Sequence, residues 1–229
     1  MDAALVATAL ASAAFAGSHL GLSAAPPRGW LVARLGEKGF QILYGLLALL
    51  TLGTLIAAYS QASHHLYLWP PGPGVRHLPL LVVPLALILI AGGVLIPNPS
   101  ATGMTGALDR PEPARGVLRV TRHPVMWGVG LWAAVHILAN GDLAALLFFG
   151  GLLLTALGGA WHLDRRMAAT EGERWRRFAE VTSFLPFAAL LAGRQRWAWA
   201  ELRRPALWGL GLFVLLFVLH PYLFGMRPY

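Results

Sequence analysis

The chain has 229 residues, of which 57% are hydrophobic and 12% charged, with a formal net charge of +8 and a mean hydropathy of +0.60. That composition excludes an ordinary soluble domain and implies a polytopic helical membrane protein. There is no cysteine, which excludes disulfides, thiolate catalysis, thiolate haem ligation and iron–sulfur clusters. Any metal here must rest on His, Met or oxygen ligands.

Hydropathy predicts six spans in one all-α domain covering residues 1–229. The N-terminus has the small residues of a signal peptide but opens with Asp2 and lacks a positive n-region. It reads as a first membrane helix that starts outside, over about 3–22. A polar loop punctuated by Pro26 and Pro27 leads to span two at about 40–59. The next loop carries His64, His65 and a PPGPG run at 70–74, a turn-rich interfacial pattern. Span three covers about 78–97, with Pro84 expected to kink it. Four prolines punctuate the following loop as far as Arg122. Spans four and five follow at about 124–139 and 143–163, joined by a tight Asn140-Gly141-Asp142 turn, and span six lies at about 205–223. Between spans five and six, 164–187 is too charged to cross. Trp175, Phe178 and Val181 recur there at helical spacing against an arginine-rich face, which predicts an amphipathic helix at the cytoplasmic interface or a docking surface.

Charge provides an independent check on this topology. Loops one, three and five hold 3, 4 and 9 of the 18 Lys and Arg, and only Arg76 and Arg227 fall on the other side. Positive loops face the cytoplasm, so both termini are expected outside, in a multi-pass protein of a bacterial inner membrane. The basic residues show no aromatic-interleaved surface for bases, so nucleic acid is excluded as a partner and the lipid bilayer is the expected one.

Eight histidines remain to be assigned. His64, His65 and His77 lie in or beside an outward loop and read as solvated, and His162 reads as interfacial. His19, His123, His136 and His220 lie in spans or at their ends, where burying an unpaired polar group costs several kcal/mol. Topology sorts them into two levels: His19 with His123 near the cytoplasmic side, and His136 with His220 near the outer side. On the fourth helix His123 and Trp127 share one face, while Trp132, His136 and Asn140 share roughly the opposite one. For any single histidine, a hydrogen-bonded packing role competes. Four together, without carboxylates inside the spans for a proton path, favour a haem b site. Trp127 and Trp132 would wall it, Asn140 lies beside His136, and Arg122 is placed to pair a propionate, although the positive-inside rule explains that arginine equally well.

The string RHPVMWGVGLWAAVHILANGD, with GSHLGLSAAPPR, LVARLGEKGFQILYG, DRRMAATEGERWRRFAEVTSFLPF and the terminal HPYLFG, resembles the NnrU family of bacterial membrane proteins. The resemblance implies a link to denitrification and nitric-oxide metabolism. It also implies kinship with 15-cis-zeta-carotene isomerase, a haem-b membrane enzyme of plants and cyanobacteria. By that kinship His19 and His136 match axial iron ligands, and His123 and His220 match further motif histidines. A hydrophobic polyene substrate is then expected, or a nitric-oxide reductase or other respiratory partner for which the chain would be a non-enzymatic assembly factor. His19 and His136 belong to different levels. The haem would then lie nearly parallel to the membrane, or span one would sit further out, or His136 would pair with His220. An RHP motif opening a helix is also similar to isoprenylcysteine-type membrane methyltransferases, which use S-adenosylmethionine. Their acidic pair is missing from the corresponding His162-Leu163-Asp164-Arg165-Arg166.

Overall fold

The computed structural model describes residues 2–226; Arg227, counted above with the outward loops, lies outside the described residues. The described chain is helical, with only an isolated antiparallel bridge, Tyr67 to Asp142, outside the helices and turns. Its helices are α1 (Ala3–Ser23), α2 (Ala25–Gln61), α3 (Pro73–Arg76), α4 (Leu78–Leu95), α5 (Pro124–Asn140), α6 (Leu143–Glu171), α7 (Glu173–Val181), α8 (Ala188–Leu191) and α9 (Trp199–Phe224). Five helices are long and apolar enough to cross a bilayer: α1, α2, α4 with its α3 lead-in, α6 and α9. The sixth apolar helix, α5, has 17 residues, a rise of about 25 Å against a hydrocarbon core of about 30 Å.

The stretch expected to be a loop after span one is helix instead. Pro26 and Pro27 occupy the first turn of α2, where a missing N–H costs nothing and the fixed φ favours the helix. The break comes later, at Gly36, whose φ of 71° and ψ of 168° divide α2 into a short leading helix and a long apolar one. Arg28 and Glu37 pair at 2.5 Å from either side of that break.

The helices sort into two compact units: Met1–Arg76 with Ala133–Arg166, and His77–Trp132 with Met167–Tyr229. Both α5 and α6 contribute to each. In the first unit α1 lies beside α6 and runs the same way. Leu5 packs on Ala144, the Ser12 hydroxyl donates to the Leu147 carbonyl at 2.6 Å, and Leu20 covers Gly158. The second half of α5 precedes a turn at Gly141 (φ 72°) and runs the opposite way.

The second unit is built on α4. Gly92 faces Val117, and Gly128 of α5 lies against the Ala86 carbonyl and Ile90. Around Leu89, Val117 and Val120 the core takes in Trp127, Leu190 and Leu202. Its polar edge is a clasp between three connecting segments. The Ser100 hydroxyl donates to the Arg122 carbonyl at 2.5 Å, the Arg122 amide to Ser183 at 2.9 Å and the Phe187 amide to Val120 at 2.8 Å. The Thr121 hydroxyl donates to the Phe184 carbonyl at 2.8 Å. Arg119 forks onto Glu201 at 2.9 and 3.0 Å, and the same carboxylate accepts from the Gly116 amide at 2.6 Å. This two-pronged ion pair fixes the start of α9.

The segment predicted as an interfacial helix over 164–187 differs from that reading in its bounds. Through residue 171 it is a continuation of α6, and α7 begins only after Gly172 turns the chain at φ 53°. Of the predicted apolar face of α7, Trp175 (2% exposed) and Phe178 (1%) pack on protein, whereas Val181 is 37% exposed. Two of its three arginines pair with carboxylates, Arg174 with Asp109 and Glu171, Arg176 with Glu173 and Glu180, and Arg177 is exposed.

Candidate functional site

In the first unit the C-terminal half of α1 presents His19 and the C-terminal half of α5 presents His136. The His19 Nδ1 sits 2.8 Å from the Phe15 carbonyl, one turn back on the same helix. A carbonyl only accepts, so the proton belongs on Nδ1 and the lone pair on Nε2. Its ring lies 4.2 Å from Phe15 and edge-on to Tyr44 at 5.4 Å. The His136 ring stacks on Phe149 at 4.9 Å with a 27° tilt, and its carbonyl accepts from Asn140 Nδ2 at 2.7 Å. Phe149 continues edge-on into Phe148, which stacks on Tyr59 at 4.4 Å.

Helix α6 serves as a ruler for the height difference between these two imidazoles. His136 is level with Phe149, and Leu20, next to His19, is level with Gly158. Eight residues of rise separate the levels, about 12 Å. Side chains lean toward the N-terminus of their own helix. Because α1 and the second half of α5 run in opposite directions, the Cα–Cβ bonds of His19 and His136 tilt in opposite senses along the helix axes.

A second polar centre in this unit was not anticipated. His64, read as solvated, places Nδ1 3.3 Å from the Asp142 carboxylate and its ring edge-on to Tyr59 at 5.0 Å. Asp142 is buried, and the same oxygen accepts from the Ala145 amide at 2.9 Å, capping α6. Asp142→Ala should remove both bonds and destabilise the protein by about 1–3 kcal/mol. Asp142→Asn keeps the cap and should lose less than half of that, a difference measurable by thermal unfolding in detergent. His65 and His77 are exposed, as expected. His162 is half-buried beside Trp161, with an Nδ1 that has no hydrogen-bond partner.

The remaining candidates lie in the second unit. His123 is buried (1% exposed) against Phe184 at 5.4 Å and Trp175 at 6.3 Å. Trp127 packs on the same Phe184 at 6.1 Å, and its Nε1 is buried without an acceptor. A cavity of about 180 Å³ lined by Asn98, Ser100, Thr102 and His123 opens beside it, below the roughly 300 Å³ where ordinary ligand pockets begin. Its polar lining is largely engaged: the Asn98 amide donates to the Gly93 carbonyl and its oxygen accepts from the Ser100 amide. The Arg122 backbone belongs to the clasp described above, and Trp132 is half-buried on α5. His220 lies near the end of α9, with Nδ1 2.8 Å from the Met226 carbonyl and its ring over Phe224 at 4.7 Å. Among the described residues no three His, Cys, Asp or Glu side chains converge as a metal cluster would require. Sequence reasoning missed the His64–Asp142 and Arg119–Glu201 pairs. The one available signal was the Asn-Gly-Asp turn, which marks Asp142 as a helix cap.

A family model described as NnrU protein matches residues 7–228. Chloroplastic 15-cis-zeta-carotene isomerase of Arabidopsis thaliana is 32% identical over 171 residues, 70% of this chain and 44% of that protein. The Zea mays protein of the same name is 39% identical over 93 residues, 39% of this chain and 25% of its own length. The match therefore spans less than half of these relatives. No solved structure matches the chain at a significant level.

Proposed function

The chain belongs to the NnrU family, and on that premise we propose that it is a membrane haem-b protein that isomerises a cis double bond of a polyene lipid. His19 and His136 would hold the haem iron in this reading. It rests on one observation: two imidazoles of the same unit each lie against aromatic rings, His19 beside Phe15 and Tyr44 and His136 on Phe149. The donor set suits the group. The Nδ1–H of His19 is held by the Phe15 carbonyl, the outer hydrogen bond usual for a metal-bound imidazole, and Nε2 is left to bind. His136 is fixed against Phe149. Phe15, Tyr44, Phe148 and Phe149 give the apolar surroundings in which a macrocycle and a polyene are both soluble.

Haem iron, when bound, supplies a redox-active Lewis acid. The remaining tasks fall to the chain. Its aromatic side chains position an extended apolar substrate and exclude water, and the hydrogen-bonded ring of His19 keeps one tautomer and one orientation. The arginine-rich loops face the cytoplasm of a bacterial inner membrane, following the charge bias. Purified protein is expected to show a Soret band and to convert tri-cis zeta-carotene after reconstitution. Haem-loaded protein that leaves the substrate unchanged would remove the isomerase reading, and absence of the band after expression with ample haem would remove the cofactor.

A further inference from the structure

Trp175 and Phe178 of α7 are buried against protein, so the largest exposed apolar surface of this region lies further along the chain. It lies in the hook that follows, 185–204. Leu185, Phe187, Leu191, Trp197 and Trp199 all point outward, with Leu191 86% and Trp199 68% exposed. Three of them form one aromatic cluster: Phe187 to Trp197 at 6.2 Å and Trp197 to Trp199 at 5.0 Å. Phe187 has a left-handed backbone (φ 67°), the only non-glycine positive φ among the described residues, and its amide is tied to the Val120 carbonyl at 2.8 Å. That conformation is disfavoured for a side chain of this size and is maintained with the ring exposed.

Charge points the same way. Arg196, Arg203 and Arg204 are exposed and make no ion pair or hydrogen bond to the described chain, while Arg194 is spent on the Glu180 and Thr182 carbonyls that end α7. The one acidic residue of the hook, Glu201, is already occupied by Arg119. The hook therefore carries three uncompensated guanidinium groups beside an exposed apolar cluster. It leads directly into α9, a helix of spanning length, which holds it at the bilayer boundary.

We propose that the hook 185–204 is a binding element for anionic phospholipid. Its aromatic and leucine side chains enter the boundary between headgroups and acyl chains, and Arg196, Arg203 and Arg204 engage headgroup phosphates. Tryptophan suits that boundary because one end of its ring system is apolar and the other donates a hydrogen bond. Guanidinium suits phosphate because two parallel N–H groups match two oxygens. Each arginine near an anionic surface contributes up to about fivefold in affinity.

The test uses the full chain in nanodiscs, with brominated acyl chains placed either on phosphatidylglycerol or on phosphatidylcholine. Bromine quenches tryptophans it touches, and the difference between the parent protein and a Trp197→Phe/Trp199→Phe variant isolates the hook. Brominated phosphatidylglycerol is expected to quench that component severalfold more efficiently. The preference should vanish in Arg196→Gln/Arg203→Gln/Arg204→Gln and survive the corresponding lysine substitutions. These side chains hold nothing in the fold, so the glutamine variant should elute and melt as the parent does. Equal quenching by both lipids, or a preference that persists in the glutamine variant, would overturn the proposal. So would a hook quenched by neither lipid, which would mean that another protein or water covers it.

Discussion

His136→Ala is expected to abolish the Soret absorption of the purified protein, and His19→Ala to do the same, whereas His220→Ala should leave it intact. In the proposed reading these first two residues, which stand in one unit on helices of opposite direction, would both hold the iron. Weakening even an outer hydrogen bond of a metal-bound histidine costs 10–100-fold in affinity, so deleting a ligand should cost at least about 100-fold. His220 is engaged with the Met226 carbonyl and Phe224 at its own helix end. His123→Ala provides the sharper control. Its ring is buried against Phe184 and Trp175, so removing it should cost about 2–4 kcal/mol of stability through the cavity left behind. The protein that still folds should keep its haem. Absorption spectra of the four variants, normalised to protein and read beside their melting curves, separate loss of a ligand from loss of fold. Retention of the band in His19→Ala and His136→Ala with loss in His123→Ala would move the site to the second unit.

The helices were legible where apolar runs met strong punctuation. Pro124 starts α5 and Gly141 ends it because one lacks an N–H and the other tolerates a left-handed turn. Legibility failed where the same residue types have two meanings. Pro26 and Pro27 look like loop residues, yet they open a helix when they fall in its first turn. The charges of 164–171 look like the end of a span, but with no glycine or proline between Ala160 and Gly172 the α6 backbone simply continues. For α7, periodicity revealed an apolar face but not its partner, since Trp175 spacing is the same whether lipid or protein covers it. Pairing was the least accessible. His64 and Asp142 are 78 positions apart, and no local pattern encodes such a contact. Different levels were readable for His19 and His136 from topology, whereas their aromatic neighbours Tyr44 and Phe149 lie on other helices and follow from no local pattern.

Gly209→Leu should be among the most damaging single changes outside the histidines. In α9 only Pro205 and Gly209 are buried, so this helix meets the rest of its unit across a narrow seam. A Cβ at position 209 would lie 2.6 Å from both the Cα and the amide nitrogen of Ile88 in α4. Backbone atoms cannot turn aside as a flexible side chain can, so the two helices must separate. In lipid, helix association rests on close packing of small residues because the acyl chains are as apolar as the side chains they replace. A separated α9 therefore gains no compensating burial. Overpacking of this kind costs about 3 kcal/mol, equivalent to roughly 6–12 °C in Tm for a chain of this size. Gly211→Leu is the matched control, two residues along the same helix, where a Cβ meets nothing within 4 Å. There the substitution should be neutral or slightly stabilising, since glycine is the poorer helix former. Melting followed by tryptophan fluorescence in one detergent compares the two directly. A shift of the same size in both variants would mean that the seam between α4 and α9 is not held by the close approach at Gly209.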